Sequence, residues 1–119
     1  MAAWGDEEGA RLEFQSEKFV SLGIDWAIDP TFWDREGCAV GLDWVPIPAA
    51  LQQRFERWWY WFQNRHDPGY DLPDREHPPF PDLKEFAAEG HAIAAAIKLE
   101  LPDWRIAYRD YLTGRDIEL

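Results

Sequence analysis

The residues of this chain that could do chemistry are few. Serine occurs at Ser16 and Ser21 and threonine at Thr31 and Thr113. Ser21 has no histidine near it in sequence, so a hydroxyl nucleophile has no general base to work with. The sequence contains no Gly-rich phosphate loop, no His-Glu-x-x-His and no Gly-x-Ser-x-Gly. Of the three histidines, His66 and His77 sit near Asp67, Asp71, Asp74 and Glu76. That mixture of imidazoles and carboxylates matches no metal-ligand spacing, and solvated loop side chains account for it. His91 lies off the apolar face of its helix. Cys38 stands alone, so neither an internal disulfide nor a zinc cluster is expected. The expectation is no catalytic residue, no metal and no cofactor, hence a protein that is not an enzyme.

Asp25, Asp29, Asp34, Glu36 and Asp43 form a different kind of set. Asp25 and Asp29 project from the polar side of a strand pattern, and the other three follow in the succeeding loop. A solvated face that maintains solubility would look like this. So would a patch complementary to a basic protein, which speeds encounter and disfavours wrong partners. Aromatic residues favour the second use. The chain has eight Trp, seven Phe and four Tyr, more than a small core comfortably absorbs. Trp33 and Trp44 lie between acids in expected loops, and Tyr60 points away from its helix stripe. Such residues are favoured anchors at protein interfaces, although Trp33 and Trp44 could equally be staples over the core.

Whole-chain arithmetic agrees. The chain's 119 residues suit one domain, and 46% hydrophobic content is too apolar for a disordered acidic tail. With 12 Lys+Arg against 23 Asp+Glu the net charge is −11, which argues against nucleic acid as a partner. Acid is concentrated in residues 1–45 and 71–119, while 46–70 is net +1. No apolar run reaches a membrane-spanning length, and the first residues lack a signal peptide's basic start and apolar run. A soluble cytoplasmic protein is expected.

Periodicity supplies the elements. Residues 1–17 read as a polar arm with a short strand at 12–14, and residues 18–119 as one α+β domain. Across 19–28, Val20, Leu22, Ile24, Trp26 and Ile28 alternate with polar or small residues, a half-buried strand. Residues 40–45 suggest another short strand. Residues 48–65 predict a helix, with Pro48 in its first turn and Leu51, Phe55, Trp58 and Phe62 on one stripe. The proline-rich residues 68–81 are expected to form a loop. Residues 82–101 predict a second helix with Asp82 as cap, and Gly90 on its apolar face. A mid-helix glycine costs about 1 kcal/mol against alanine, so a close approach, for instance by Trp58, is expected there. Residues 104–108 alternate as a final strand. The architecture expected is two helices on one face of a small, mostly antiparallel sheet, with the direction of the last strand open.

This arrangement resembles a broad group of small bacterial α+β proteins. The residues that carry the likeness are Val20-Ser-Leu-Gly-Ile-Asp-Trp, Phe32-Trp33-Asp34, Val45-Pro-Ile-Pro with Leu51 and Trp58, Phe86-Ala-Ala-Glu-Gly90, and Leu99 to Tyr108. Members of the group resemble immunity proteins of polymorphic toxins, including contact-dependent and type VI effectors. The resemblance implies a cognate toxin domain as partner, neutralised by covering its active site. An acidic inhibitor suits a basic enzyme that acts on phosphate-bearing substrates. The alternatives are an effector adaptor or chaperone, and a small enzyme built on the acidic cluster.

Overall fold

The computed structural model describes residues 7–24, 29–66 and 83–119. Helix α1 (Glu7–Glu17) leads into strand β1 (Phe19–Leu22). The hairpin β2 (Phe32–Trp33) and β3 (Ala39–Val40) follows, then a 3-10 turn at Leu42–Trp44. Helices α2 (Ala49–His66) and α3 (Leu83–Glu100) come next, and β4 (Arg105–Arg109) and β5 (Asp116–Glu118) close the fold. The strands form one sheet in the order β3-β2-β1-β4-β5. This is the α+β class expected, with a third helix and a mixed sheet. The β1–β2, β2–β3 and β4–β5 pairs are antiparallel, and the central β1–β4 pair is parallel. Parallel neighbours need a long crossover, and here the connection includes the hairpin and both long helices.

Alternation decides which side of the sheet is buried. Val20, Leu22, Phe32, Val40, Ile106 and Tyr108 point to the helices and are buried. The ring of Phe55 on α2 stacks on Phe32 of β2 at 4.2 Å between centroids. Ile93, Ala94 and Ile97 of α3 fill the same layer with no more than trace exposure. The expected helices and last strand agree with the observed ones to within a residue at each end. Lys98, in the last turn of α3, donates to the carbonyls of Pro102 (3.1 Å) and Trp104 (2.7 Å), tying the turn into β4.

Gly90 shows why a costly residue sits inside α3. A Cβ placed there would lie 2.6 Å from both Trp58 Cζ2 and Tyr108 Oη. Without it, both rings reach the helix backbone. Trp58 Nε1 donates to the Phe86 carbonyl and Tyr108 Oη to the Ala87 carbonyl, each at 2.9 Å. Two large side chains thus bury their rings and still satisfy their polar tips. The expected approach of Trp58 is present, joined by Tyr108.

Several expectations need correction, among them the short strand at 40–45: β3 ends at Val40 and residues 42–44 form a 3-10 turn. Residues 12–14 are helical, within α1, and the segment 1–17 expected as a polar arm carries Phe14, which is 5% exposed. Its ring packs on Trp104 and Trp44 at 5.6 and 6.1 Å between centroids. β1 ends at Leu22 rather than continuing toward residue 28; residues 25–28 lie outside the described residues. β5 adds an edge where no strand was expected. The proline-rich loop expected at 68–81 also lies outside the described residues.

Candidate protein-binding face

Helices cover one side of the sheet, and among the described residues no helix lies on the other. The residues of opposite phase, Phe19, Ser21, Trp33, Ala39, Arg105, Ala107, Arg109, Asp116 and Glu118, populate that side. Register explains its shape. Ser21 pairs with Ala107 on the two central strands, so the middle of the face carries only small side chains, while long ones stand at its margins. The result is a shallow concavity of about 400 Å3 whose walls include Phe19, Trp33, Arg35, Arg109 and Asp116.

The margins are held in place. Trp33 Nε1 donates to the Gly23 carbonyl at 3.0 Å, which lays the half-buried indole along one wall. The guanidinium carbons of Arg35 and Arg105 lie 5.9 and 5.8 Å from the Phe19 ring centroid, within cation–π range. Arg105 makes a two-pronged pair with Glu118 (3.0 and 2.9 Å), and Arg109 pairs with Asp116 at 3.0 Å. The Arg105 hydrogen bond holds the Glu118 carboxyl below the usual carboxylate range. All four side chains are at least half exposed, so these pairs shape the surface more than they stabilise it. Although the whole chain is strongly acidic, this face is charge-balanced.

The residues singled out from sequence are distributed unevenly around it. Trp33 and Asp34 line the concavity. Trp33 is in β2 rather than in a loop. Asp34 has a structural task, because its Oδ1 accepts the backbone N–H groups of Glu36 (2.8 Å) and Cys38 (2.9 Å) and so closes the β2–β3 hairpin. Gly37 supplies the positive φ (83°) that this turn requires. Asp29, Glu36 and Asp43 are exposed, around the hairpin and the 3-10 turn, and none lines the concavity. Trp44 and Tyr60 are partly buried against the core, and Trp44 also packs on Phe14. Asp25 lies outside the described residues.

Sequence reasoning missed Phe19, Arg105, Arg109, Asp116 and Glu118. For Phe19, Arg105 and Arg109 the signal lies in the outward phase of the two alternating segments; Asp116 and Glu118 stand on β5, which no sequence pattern marks. The face presents indole and phenyl surface, fixed ion pairs and a small-residue floor. Among the described residues no group of three or more His, Cys, Asp or Glu is placed to hold a metal ion, and no helix is long and apolar enough to cross a membrane. The histidine-bearing segment near Asp71, Asp74 and Glu76 lies outside the described residues. No family model, curated protein or solved structure matches this chain.

Proposed function

We propose that this chain is an immunity-type binding protein that neutralises a cognate bacterial toxin domain by docking over its active site. The observation that carries the reading is the bare sheet face, where Trp33 and Phe19 flank a small-residue floor in a two-layer domain. An aromatic concavity left open by the described residues suits a protein partner better than a small reactant, because the arginines at its margins are already paired. The exposed carboxylates of Asp29, Glu36 and Asp43 border the hairpin that carries Trp33. They supply the field that draws in a basic enzyme, while the face itself supplies contact. The partner is a protein; nucleic acid and membrane are not part of this reading, and no cofactor is required.

Co-expression with the product of the adjacent reading frame tests it. The neighbour should be toxic alone, harmless with this chain, and recovered with it as a complex. A toxic neighbour that this chain neither binds nor silences overturns the proposal. A complex in which the neighbour keeps its full activity replaces it with an adaptor role.

A further inference from the structure

A second site lies on the helical layer, away from the bare sheet face. Arg54, Arg57 and Trp61 stand at i, i+3 and i+7 on α2, so they share one stripe. With Trp58 and with Glu89 of α3 they border a pocket of about 190 Å3. Two observations set this pocket apart. Trp61 Nε1 is closed off from solvent and has no hydrogen-bond partner among the described residues. A buried donor without a partner is uncommon in native structures and calls for an explanation. Beside it, Arg57 is exposed and makes no ion pair among the described residues. Its neighbour Arg54 is fixed by a two-pronged pair with Glu89 at 2.8 and 2.9 Å. The pocket is therefore bordered by a residue whose indole N–H is unsatisfied but closed off, and by a guanidinium without an ion pair among the described residues, on the net-positive segment of a chain whose total charge is −11.

We infer that this pocket binds a carboxylate carried on an apolar body. The planar carboxylate matches the guanidinium fork of Arg57 and accepts the Trp61 N–H with its second oxygen. The apolar body lies on the partly exposed indole of Trp61. A highly charged oxyanion such as phosphate is a poorer occupant, because the surrounding acidic chain repels multiple charge and the indole surface gives it nothing. Solvent does not reach the Trp61 N–H in this conformation, so the side chains around it must shift before a carboxylate can accept it. Arg57, which has no ion pair to break among the described residues, can swing over the entering group.

The probe is benzoate, titrated into 15N-labelled protein while the indole N–H cross-peaks are followed. Trp61 is assigned through the Trp61→Phe variant. Benzoate should shift that cross-peak saturably, whereas benzamide, its neutral isostere, should not, and inorganic phosphate should shift it less. Arg57→Gln should weaken benzoate binding by about tenfold or more, the usual scale for a lost hydrogen bond to a charged group, with Arg57→Lys between it and wild type. Because Arg57 is exposed, its variants should keep the other indole cross-peaks in place. An absent or non-saturating shift overturns the site. Equal responses to benzoate and benzamide, or a benzoate response unchanged in Arg57→Gln, overturn the carboxylate assignment.

Discussion

At the residue scale, the interior turns on a missing methyl group. Alanine in place of Gly90 would gain about 1 kcal/mol of helix propensity. It would also push a Cβ to 2.6 Å from two fully buried rings, and overpacking of that kind costs typically 1–3 kcal/mol. Displacing Trp58 and Tyr108 would further weaken two buried hydrogen bonds, each worth about 1 kcal/mol. Gly90→Ala should therefore lower stability by about 2 kcal/mol in urea unfolding, and a stabilised variant would refute this account of the notch. Tyr108 adds a pH dependence. Burial first, and the charge of Asp110 second, raise its hydroxyl above the ordinary value of 10.0. A group that is harder to ionise when folded contributes stability that is fully present below its unfolded value and lost as pH rises beyond it. Stability should then fall from about pH 10 upward, and more shallowly in Tyr108→Phe, which removes the titrating group. Parallel alkaline slopes for the two proteins would show that Tyr108 is not responsible.

At the scale of elements, legibility in the sequence followed how much of each element is buried. Helices α2 and α3 were readable because Phe55, Trp58 and Phe62, or Phe86, Ile93 and Ile97, repeat at helical spacing and all enter the core. β4 was readable because Ile106 and Tyr108 alternate with exposed arginines. α1 was not, since Phe14 is its one core side chain and Leu12 is 55% exposed. A helix docked through one ring and a Gln15 hydrogen bond to the Trp44 carbonyl leaves no stripe to read, and its contacts with Trp44 and Trp104 are long-range. β5 was invisible for a similar reason, with Ile117 between two acids in a polar segment. Of the candidate site, Trp33 was found, but Asp34 was read only as a surface charge because a carboxylate that closes a turn looks the same in sequence as one that faces solvent. These assignments have consequences. Phe14→Ala should cost about 3 kcal/mol through lost burial and a cavity, measured by urea unfolding, whereas a solvated arm would show no loss. Asp34→Ala, which removes the acceptor for two backbone N–H groups, should destabilise by about 1 kcal/mol; for that reason Asp29, Glu36 and Asp43 are cleaner probes of electrostatics.

At the scale of the whole molecule, charge and contact are separated in space, and that separation gives the proposed interaction two independent signatures. The net charge of −11 is not expressed on the bare sheet face, where Arg105–Glu118 and Arg109–Asp116 cancel. It is expressed partly around the hairpin, where Asp29, Glu36 and Asp43 are exposed. Charges at the margin of an interface act while the partners are still apart, over the Debye length of about 10 Å at 0.1 M salt. Reversing Asp29, Glu36 and Asp43 to lysine should therefore slow association with a basic toxin and flatten its salt dependence, with dissociation little changed. Trp33 acts after contact. Its indole is already fixed by the Gly23 carbonyl, so it enters an interface with little rotamer freedom left to lose. Trp33→Ala should speed dissociation, costing about 2 kcal/mol or more of affinity, and leave association and its salt slope near wild type. Because Trp33 is only half-buried in the unbound protein, the variant should keep most of its unfolding free energy, so weak binding cannot be ascribed to a lost fold. Surface-based kinetics over a range of salt concentrations separates the two effects. If triple charge reversal changes dissociation while Trp33→Ala leaves it untouched, the contact lies on the acidic hairpin edge and the bare sheet face is not the docking surface.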